Sequence, residues 1–324
     1  MREFRALLGP VSVVALVGAA ILWSPFEPHR PPVADVGPTS AAPGTTGASW
    51  DDRDWGIFYE RVQWAMRGGL DTLPIGTAMV ELGRSFVGAP YVPQTLEVDD
   101  PERLVINFRG LDCVTFVENM FAMSRFIGSG GADLLNDRSV AEDRYEALLS
   151  EHRYRNGEVD EYPSRLHYFT DWIGDNERRG LVADVTVELG GVLDNEPIEF
   201  MSSHPDAYRQ LADPSYVEAV EKAEERLSAA GRHFVPKDQI DGVADRIRDG
   251  DIIAATSTVA GLDVAHTGLA LWVGDELHLL HAPLVGEAVQ ISEVPLARRI
   301  LDISSQDGII VARPQDDGAR GGIR

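Results

Sequence analysis

Cysteine is almost absent from this sequence, because Cys113 is the only one in 324 residues. A single cysteine excludes an intrachain disulfide, and it excludes the multi-cysteine sets that hold structural zinc. It can still form an intermolecular link, act as a reactive thiol, or pack as a small buried hydrophobe. The count alone leaves these three interpretations open.

Basic residues are also scarce, with 29 Lys and Arg against 52 Asp and Glu, which gives a formal net charge of -23. A phosphate backbone would repel such a surface, so we expect no nucleic-acid partner. No Walker-type phosphate loop occurs, and no His-Glu-x-x-His spacing suits zinc. The sequence therefore predicts neither a cofactor nor a metal site.

The N-terminus has the layout of an export signal. Arg2 and Arg5 precede an apolar run over 7–23, which Ser24 and Pro25 end. The run is also long enough for a retained membrane anchor. No Ala-x-Ala site follows it directly, and no cysteine follows it for lipid attachment. We expect an exported protein of the periplasm or cell envelope, either cleaved or anchored to the inner membrane through residues 1–29.

Composition divides the rest of the chain. Residues 30–50 are rich in Pro, Ala, Gly, Thr and Ser and predict a disordered linker. Residues 51–313 have helical and strand periodicities and predict one folded domain. Residues 314–324 predict a disordered tail.

Within the domain, helical patterns come first and strand patterns come last, which predicts an α+β fold rather than alternating α/β units. Helices are expected over 55–66, 76–86, 113–127 and 215–231, with further helical tendency over 135–180. Strands are expected over 183–189, 252–255, 266–273, 277–282, 289–291 and 309–312. A turn at Gly274-Asp275 joins two of them into a hairpin.

Cys113 is placed at the first turn of the helix over 113–127. Free backbone N–H groups and the positive end of the helix dipole would there favour the thiolate, which is the nucleophilic form. The same N–H groups could stabilise an oxyanion. Asp112 precedes the helix and is expected to cap it.

A cysteine nucleophile needs a base and a group that orients the base. His266 opens a predicted strand and could face a helix packed on the sheet. His278 and His281 lie on the next strand, and their spacing of three residues puts them on opposite faces. Only one can share a face with His266, and either could be the orienting group.

The chain has a cysteine at a helix start, then a histidine at a strand start, then a polar residue on the next strand. In this order of elements the sequence resembles the NlpC-type, papain-like hydrolases of the cell wall. It is most similar to their amidase-like branch, which acts between N-acetylmuramic acid and L-alanine. The resemblance spans about residues 76 to 312 and rests on the segments 88–92, 111–118, 164–172, 250–253, 261–268 and 277–282.

The resemblance implies a papain-like NlpC-type fold, with helices packed on a small antiparallel sheet and with extra helical insertions. It implies Cys113 as nucleophile, His266 as base and His281 as third residue, with Tyr91 close to the cysteine. It also implies a peptidoglycan or muropeptide substrate. Pro283 departs from the pattern, because a serine commonly stands there, and this puts the shape of that loop in doubt.

The implied reaction is hydrolysis of the muramoyl-L-alanine amide through a cysteine acyl-enzyme. Cleavage between γ-D-glutamate and the diamino acid, or acyl transfer through the same thioester, remain alternatives within this chemistry.

The segment 164–172 and the neighbouring residues 153–155 are additional to a minimal domain of this type. Arg153 and Arg165 could clamp carboxylates of the stem peptide, since a guanidinium binds them in a bidentate manner. Alternatively they pair with acidic residues of the chain itself. Substrate binding or oxyanion stabilisation is assigned to these two arginines and to His167, Tyr91 and Asp112.

Overall fold

The computed structural model describes residues 48, 50–99 and 101–316. The predicted signal or anchor over 1–29, most of the linker and the last eight residues of the tail lie outside this part. Trp50, at the predicted end of the linker, packs its ring against Phe58 and Tyr145. Its Nε1 donates to Glu146 Oε1 over 3.0 Å. The folded region therefore includes Trp50.

Helices form most of the first two thirds of the described chain. They are α1 (Asp52–Arg67), α2 (Ile75–Ser85), α3 (Cys113–Gly128), α4 (Gly131–Leu134), α5 (Arg138–Arg153), α6 (Phe169–Arg178), α7 (Phe200–Ser203), α8 (Pro214–Ala230) and α9 (Leu296–Asp302). Within the described residues, no helix combines the length and the apolar character that crossing a bilayer requires.

The strands form an antiparallel sheet. They are β1 (Val182–Asp184), β2 (Val192–Asp194), β3 (Arg232–Pro236), β4 (Ile252–Ser257), β5 (Val264–Val273), β6 (Glu276–His281), β7 (Gln290–Ile291) and β8 (Gln306–Pro314). Their order is β2-β3-β8-β4-β5-β6-β7, and β1 also pairs with β8. The prediction of a mixed α+β fold with helices and an antiparallel sheet is confirmed.

The sheet is larger than predicted, because β2 and β3 were not expected and add an edge. Helices α4, α7 and α9 were also missed. The strand predicted over 183–189 stops at Asp184. There the Asp184 carboxylate accepts the N–H of Thr186 over 2.9 Å, and Leu189 N–H donates to Val185 O over 3.0 Å. These local bonds turn the chain away from the sheet.

Helix α3 is central to the molecule. Every side chain from Thr115 to Ile127 is buried, because α2, α5 and β5 surround the helix. The predicted apolar stripe is therefore only part of its buried surface. Two of its polar residues find partners on α5: Arg153 pairs with Glu118, and Tyr145 Oη donates to Asn119 Oδ1 over 2.6 Å. Buried polar groups with partners are tolerated in such a core.

Two hydrophobic cores lie on the two faces of the sheet. The larger one joins one face to α1, α2, α3 and α5. The smaller one covers the other face and includes Leu296 and Ile300 of α9. A third cluster holds α7 and α8 together beside the main domain. Cys113 begins α3 at the edge of the larger core, where the helix meets β5.

Strand β5 carries one extra residue just before His266. Ala255 of β4 pairs with His266, and the next residue, Thr256, pairs with Val264. Ala265 is thus unpaired and forms a β-bulge.

Candidate active site

A cleft of about 700 Å³ opens where the N-terminus of α3 meets the start of β5. Its walls come from the chain after α2, the segment 165–169, the segment 206–209 and the start of β5. Every residue that the sequence assigned to the site except His281 lines this cleft, and His281 lies directly behind His266.

Cys113 is the first residue of α3 and is half-buried in the cleft. Asp112 is the N-cap, and it forms a reciprocal capping box with Thr115. Its Oδ1 accepts the Thr115 N–H over 2.8 Å, while Thr115 Oγ1 accepts the Asp112 N–H over 2.9 Å. These bonds fix the helix start and so fix the position of the sulfur.

The protonation of Cys113 differs from the sequence expectation. Burial raises the pKa of its thiol to about 12, and the Asp112 carboxylate adds to the rise. Hydrogen bonds from Thr267 and from the Val114 N–H lower the pKa but do not outweigh burial. In the free cleft the group is therefore a thiol. A nearby base must accept its proton before the sulfur can attack.

His266 and His281 form a directly hydrogen-bonded pair. His266 Nε2 lies 2.6 Å from His281 Nδ1, and the rings meet edge to face at 81°. His281 is fully buried and cannot contact substrate. The bond uses Nε2 of His266, so its Nδ1 is left to exchange a proton with another group.

His278 is excluded as the partner of His266 by this geometry. Its Nδ1 bonds to the carbonyl of Ser292 over 2.8 Å, on the opposite side of β6. Of the two histidines that the sequence left open, His281 is the one that is hydrogen-bonded to His266.

Both imidazoles of the pair are neutral before substrate binds. Burial lowers the pKa of His266 to about 3, and the cation of Arg299 lowers it further. Burial also lowers the pKa of His281, with contributions from His266 and Arg299. A neutral His266 has the ring lone pair that a general base needs, but its lowered pKa makes it a weak base before substrate binds.

Thr267 connects the helix to the strand and was not identified from the sequence. It follows His266 in β5 and is 1% exposed. Its Oγ1 donates to the carbonyl of Cys113 over 2.8 Å. Alternation along β5 could have indicated that Thr267 faces the helix side of the sheet, because Leu269 belongs to the larger core.

Tyr91 lines the cleft beside Cys113. Burial raises the pKa of its phenol, and the nearby Cys113 contributes to the rise, so the hydroxyl keeps its proton. Its N–H donates to Glu287 O over 2.7 Å. Glu287 belongs to the loop that follows Pro283, so this loop holds Tyr91 in place.

Arg153 and Arg165 line the cleft but are engaged within the protein. Arg153 Nε donates to Glu118 Oε2 over 2.7 Å, and both side chains are almost completely buried. Arg165 binds Glu97 over 2.7 Å and the carbonyl of Leu96 over 2.9 Å. Both arginines therefore form internal ion pairs, which was the alternative interpretation, and these pairs hold the two side chains in place in the cleft lining.

His167 presents a hydrogen-bond acceptor. Its Nε2 lies 3.0 Å from the carbonyl of Tyr162 and must carry the proton, since a carbonyl can only accept. Burial lowers the pKa of His167 to about 3, with Arg165 adding to the effect. The neutral ring therefore leaves Nδ1 free to accept a hydrogen bond.

Asp263 is a further cleft residue that the sequence did not single out. Its Oδ2 accepts the N–H and the hydroxyl of Thr170, each over 2.8 Å. This joins the start of β5 to α6. Among the described residues, no group of three or more His, Cys, Asp or Glu side chains is placed to hold a metal ion.

A thiol at a helix N-terminus, with a neutral imidazole in the same cleft and a second imidazole behind it, belongs to the class of sites that can attack a carbonyl carbon. Over residues 81–308 the sequence matches the AmiA-like, N-acetylmuramoyl-L-alanine amidase-like family. The chain belongs to this family.

Solved structures agree with this assignment. An N-acetylmuramoyl-L-alanine amidase from Bacteroides uniformis is 38% identical, with coverage of 75% of this chain and 99% of the amidase and a TM-score of 0.68. A Bacteroides fragilis protein described as a candidate xylanase is also 38% identical, over 71% of this chain and 98% of that protein, with a TM-score of 0.64.

A Legionella pneumophila protein is 19% identical over 82% of this chain and 95% of its own, with a TM-score of 0.56, and shares the fold alone. No protein of curated function matches the chain.

Proposed function

We propose that this member of the amidase-like family cleaves the amide between N-acetylmuramic acid and L-alanine through a thioester at Cys113. The observation that carries the proposal is that His266 lines the same cleft as the Cys113 thiol and is hydrogen-bonded to the buried His281 behind it. The family match supplies peptidoglycan as the substrate class.

In the first half-reaction, His266 Nδ1 takes the thiol proton while the sulfur forms a bond to the lactyl carbonyl carbon. The negative charge moves to the carbonyl oxygen, where the first N–H groups of α3 and the Tyr91 hydroxyl can donate to it. The protonated His266 then gives its proton to the alanine nitrogen. The C–N bond breaks, and the intact stem peptide leaves.

In the second half-reaction, water takes the place of the leaving amine. His266 accepts a water proton as the oxygen attacks the thioester carbon. The C–S bond breaks, the thiolate regains the proton, and the muramic acid carboxylate is released. His281 stays behind His266 throughout and stabilises its transient positive charge, as a carboxylate does in a serine triad.

We assign the chain to the papain-like NlpC type within the α+β class. The support is the order of a cysteine at a helix start, a histidine near a strand start and a second histidine at the end of the next strand.

The test is to incubate the purified protein with muramoyl tripeptide and to identify the products by mass. We expect free muramic acid and an intact tripeptide, and no product from Cys113→Ala at an unchanged melting temperature. Release of muramoyl-alanyl-glutamate would assign the γ-D-glutamyl endopeptidase reaction instead. Transfer to an added amine in preference to water would assign an acyltransferase, and reducing ends released from xylan would assign a glycosidase.

We also propose export, on the basis of the apolar run over 7–23. Alkaline phosphatase fused after residue 50 should be active in the bacterial periplasm, and deletion of residues 2–24 should abolish that activity. Pelleting of the fusion with membranes would show a retained anchor. Activity that survives the deletion would refute export by this segment.

A further inference from the structure

Thr267 lies between the two halves of the candidate catalytic machinery. It follows His266 directly in β5, and it contacts Cys113, which is 154 positions away in the sequence. Its side chain is buried, so solvent does not compete for its hydroxyl. Within the described residues, this is the side-chain hydrogen bond that ties the first residue of α3 to β5.

The hydroxyl of Thr267 has one proton and two acceptors within reach. One is the carbonyl of Cys113, at 2.8 Å. The other is the Cys113 sulfur, because hydrogen bonding from the Thr267 side chain lowers the thiol pKa, as does hydrogen bonding from the Thr267 and Val114 backbone N–H groups. A neutral thiol is a weak acceptor, whereas a thiolate is a strong one.

The sulfur needs such a donor because two strong influences oppose its negative charge. Burial and the Asp112 carboxylate both disfavour the thiolate. The backbone N–H groups of Val114 and Thr267 are present whatever residue stands at position 267. The hydroxyl is the donor that depends on the side chain.

We propose that Thr267 is a positioning residue that holds the Cys113 backbone against β5 and turns its hydroxyl to the sulfur as the thiol loses its proton. The proposal rests on the proposed function, since it assigns a task in the same reaction. The buried Thr267 hydroxyl then rotates toward the sulfur as the thiolate forms.

The test compares Thr267→Val, which keeps the shape and loses the hydroxyl, with Thr267→Ser, which keeps the hydroxyl. Alkylation of Cys113 by iodoacetamide at pH 8 should be about ten- to hundred-fold slower in Thr267→Val, as expected for one lost hydrogen bond to a charged group. Thr267→Ser should react within about threefold of wild type. In denaturant all three proteins should react alike.

On muramoyl tripeptide, Thr267→Val should lose a similar factor in kcat with little change in KM, because the bond strengthens only as charge develops. Thr267→Ala serves if the valine variant does not fold. Equal alkylation rates for the hydroxyl-free variant and wild type would overturn the inference. The alkylation assay needs no substrate, so the inference can fail while the amidase proposal stands, and the reverse also holds.

Discussion

Asp112 has two opposing effects on its neighbour Cys113. Its side chain caps α3 and fixes the helix start, while its negative charge helps to raise the pKa of the thiol. The two effects can be separated, since an asparagine keeps the capping oxygen and removes the charge.

We therefore predict that Asp112→Asn makes Cys113 more reactive. Iodoacetamide should alkylate the variant several-fold faster than wild type at pH 8, with a nearly unchanged melting temperature. Asp112→Ala, the control, should lose about 1 kcal/mol of unfolding free energy because the cap is lost. An asparagine variant that reacts no faster would show that the carboxylate charge does not reach the sulfur.

A second prediction at this scale concerns His281. His281→Leu removes the partner of His266 Nε2, so kcat on muramoyl tripeptide should fall about 10²- to 10⁴-fold. His281→Asn offers a polar side chain at the same place and should recover part of the loss. His278→Asn, on the opposite face of β6, is the matched control and should keep kcat within a few-fold. Equal losses at both histidines would contradict the assigned pair.

The sequence identifies Cys113 and His266 as candidates, but it leaves His278 and His281 unresolved. The missing information is the register of the hairpin. In the structure Val273 pairs with Glu276 across a two-residue turn, and this register puts His281 on the face of His266. Because side chains alternate, one residue more in the turn would have selected the other histidine.

At the scale of elements, α3 and α5 are joined by a buried ion pair. Arg153 and Glu118 are 1% and 2% exposed, and His152 Nε2 lies 3.1 Å from the Glu118 carbonyl. Burial raises the pKa of Glu118, and Arg153 opposes this effect. Loss of one partner would leave the other charge buried without compensation.

Arg153→Met should therefore lower the unfolding free energy by about 3–5 kcal/mol in chemical denaturation. Adding Glu118→Gln should restore part of the loss, because the orphaned charge is gone. The double variant also tests whether Arg153 binds a carboxylate of the stem peptide. If it does, the KM for muramoyl tripeptide should rise in this variant. If Arg153→Met is as stable as wild type, the ion pair does not stabilise the packing of α3 on α5.

The elements that the sequence missed share a physical cause. Strands β2 and β3 are short and lie toward one side of the sheet. Val192 and Leu193 of β2 stay exposed there. Both strands therefore lack the long buried apolar runs that mark the central strands. Helix α9 has seven residues, too few for a clear period. The central helices and the hairpin were predictable because their buried faces are long.

At the scale of the whole molecule, buried histidines make the stability depend on pH. Burial lowers the pKa of His152 well below its usual value, and it lowers those of His167 and His266 to about 3. Below about pH 6.5 the unfolded chain binds protons at these positions that the folded protein does not. The unfolding free energy should therefore fall as the pH decreases from 6.5 toward the folded pKa values.

His152 offers the clearest measurement, because it is fully buried. In His152→Gln, the slope of unfolding free energy against pH between 6 and 5 should decrease by about 1.4 kcal/mol per pH unit, which corresponds to one proton. Between pH 8 and 9 the slopes of variant and wild type should coincide. Carboxyls with raised pKa, such as Glu118, act with the opposite sign in both proteins and cancel in the comparison. Equal slopes of unfolding free energy against pH in His152→Gln and wild type between pH 6 and 5 would show that folding does not keep His152 unprotonated.

The β-bulge at Ala265 acts as a spacer of one residue between two attachments. After it, His266 is held in register by Ala255 of β4. Before it, Asp263 is held by Thr170 of α6. A deletion at position 265 would pull Asp263 from α6 or shift His266 from its partner. In this stretch the fold should resist any change of length.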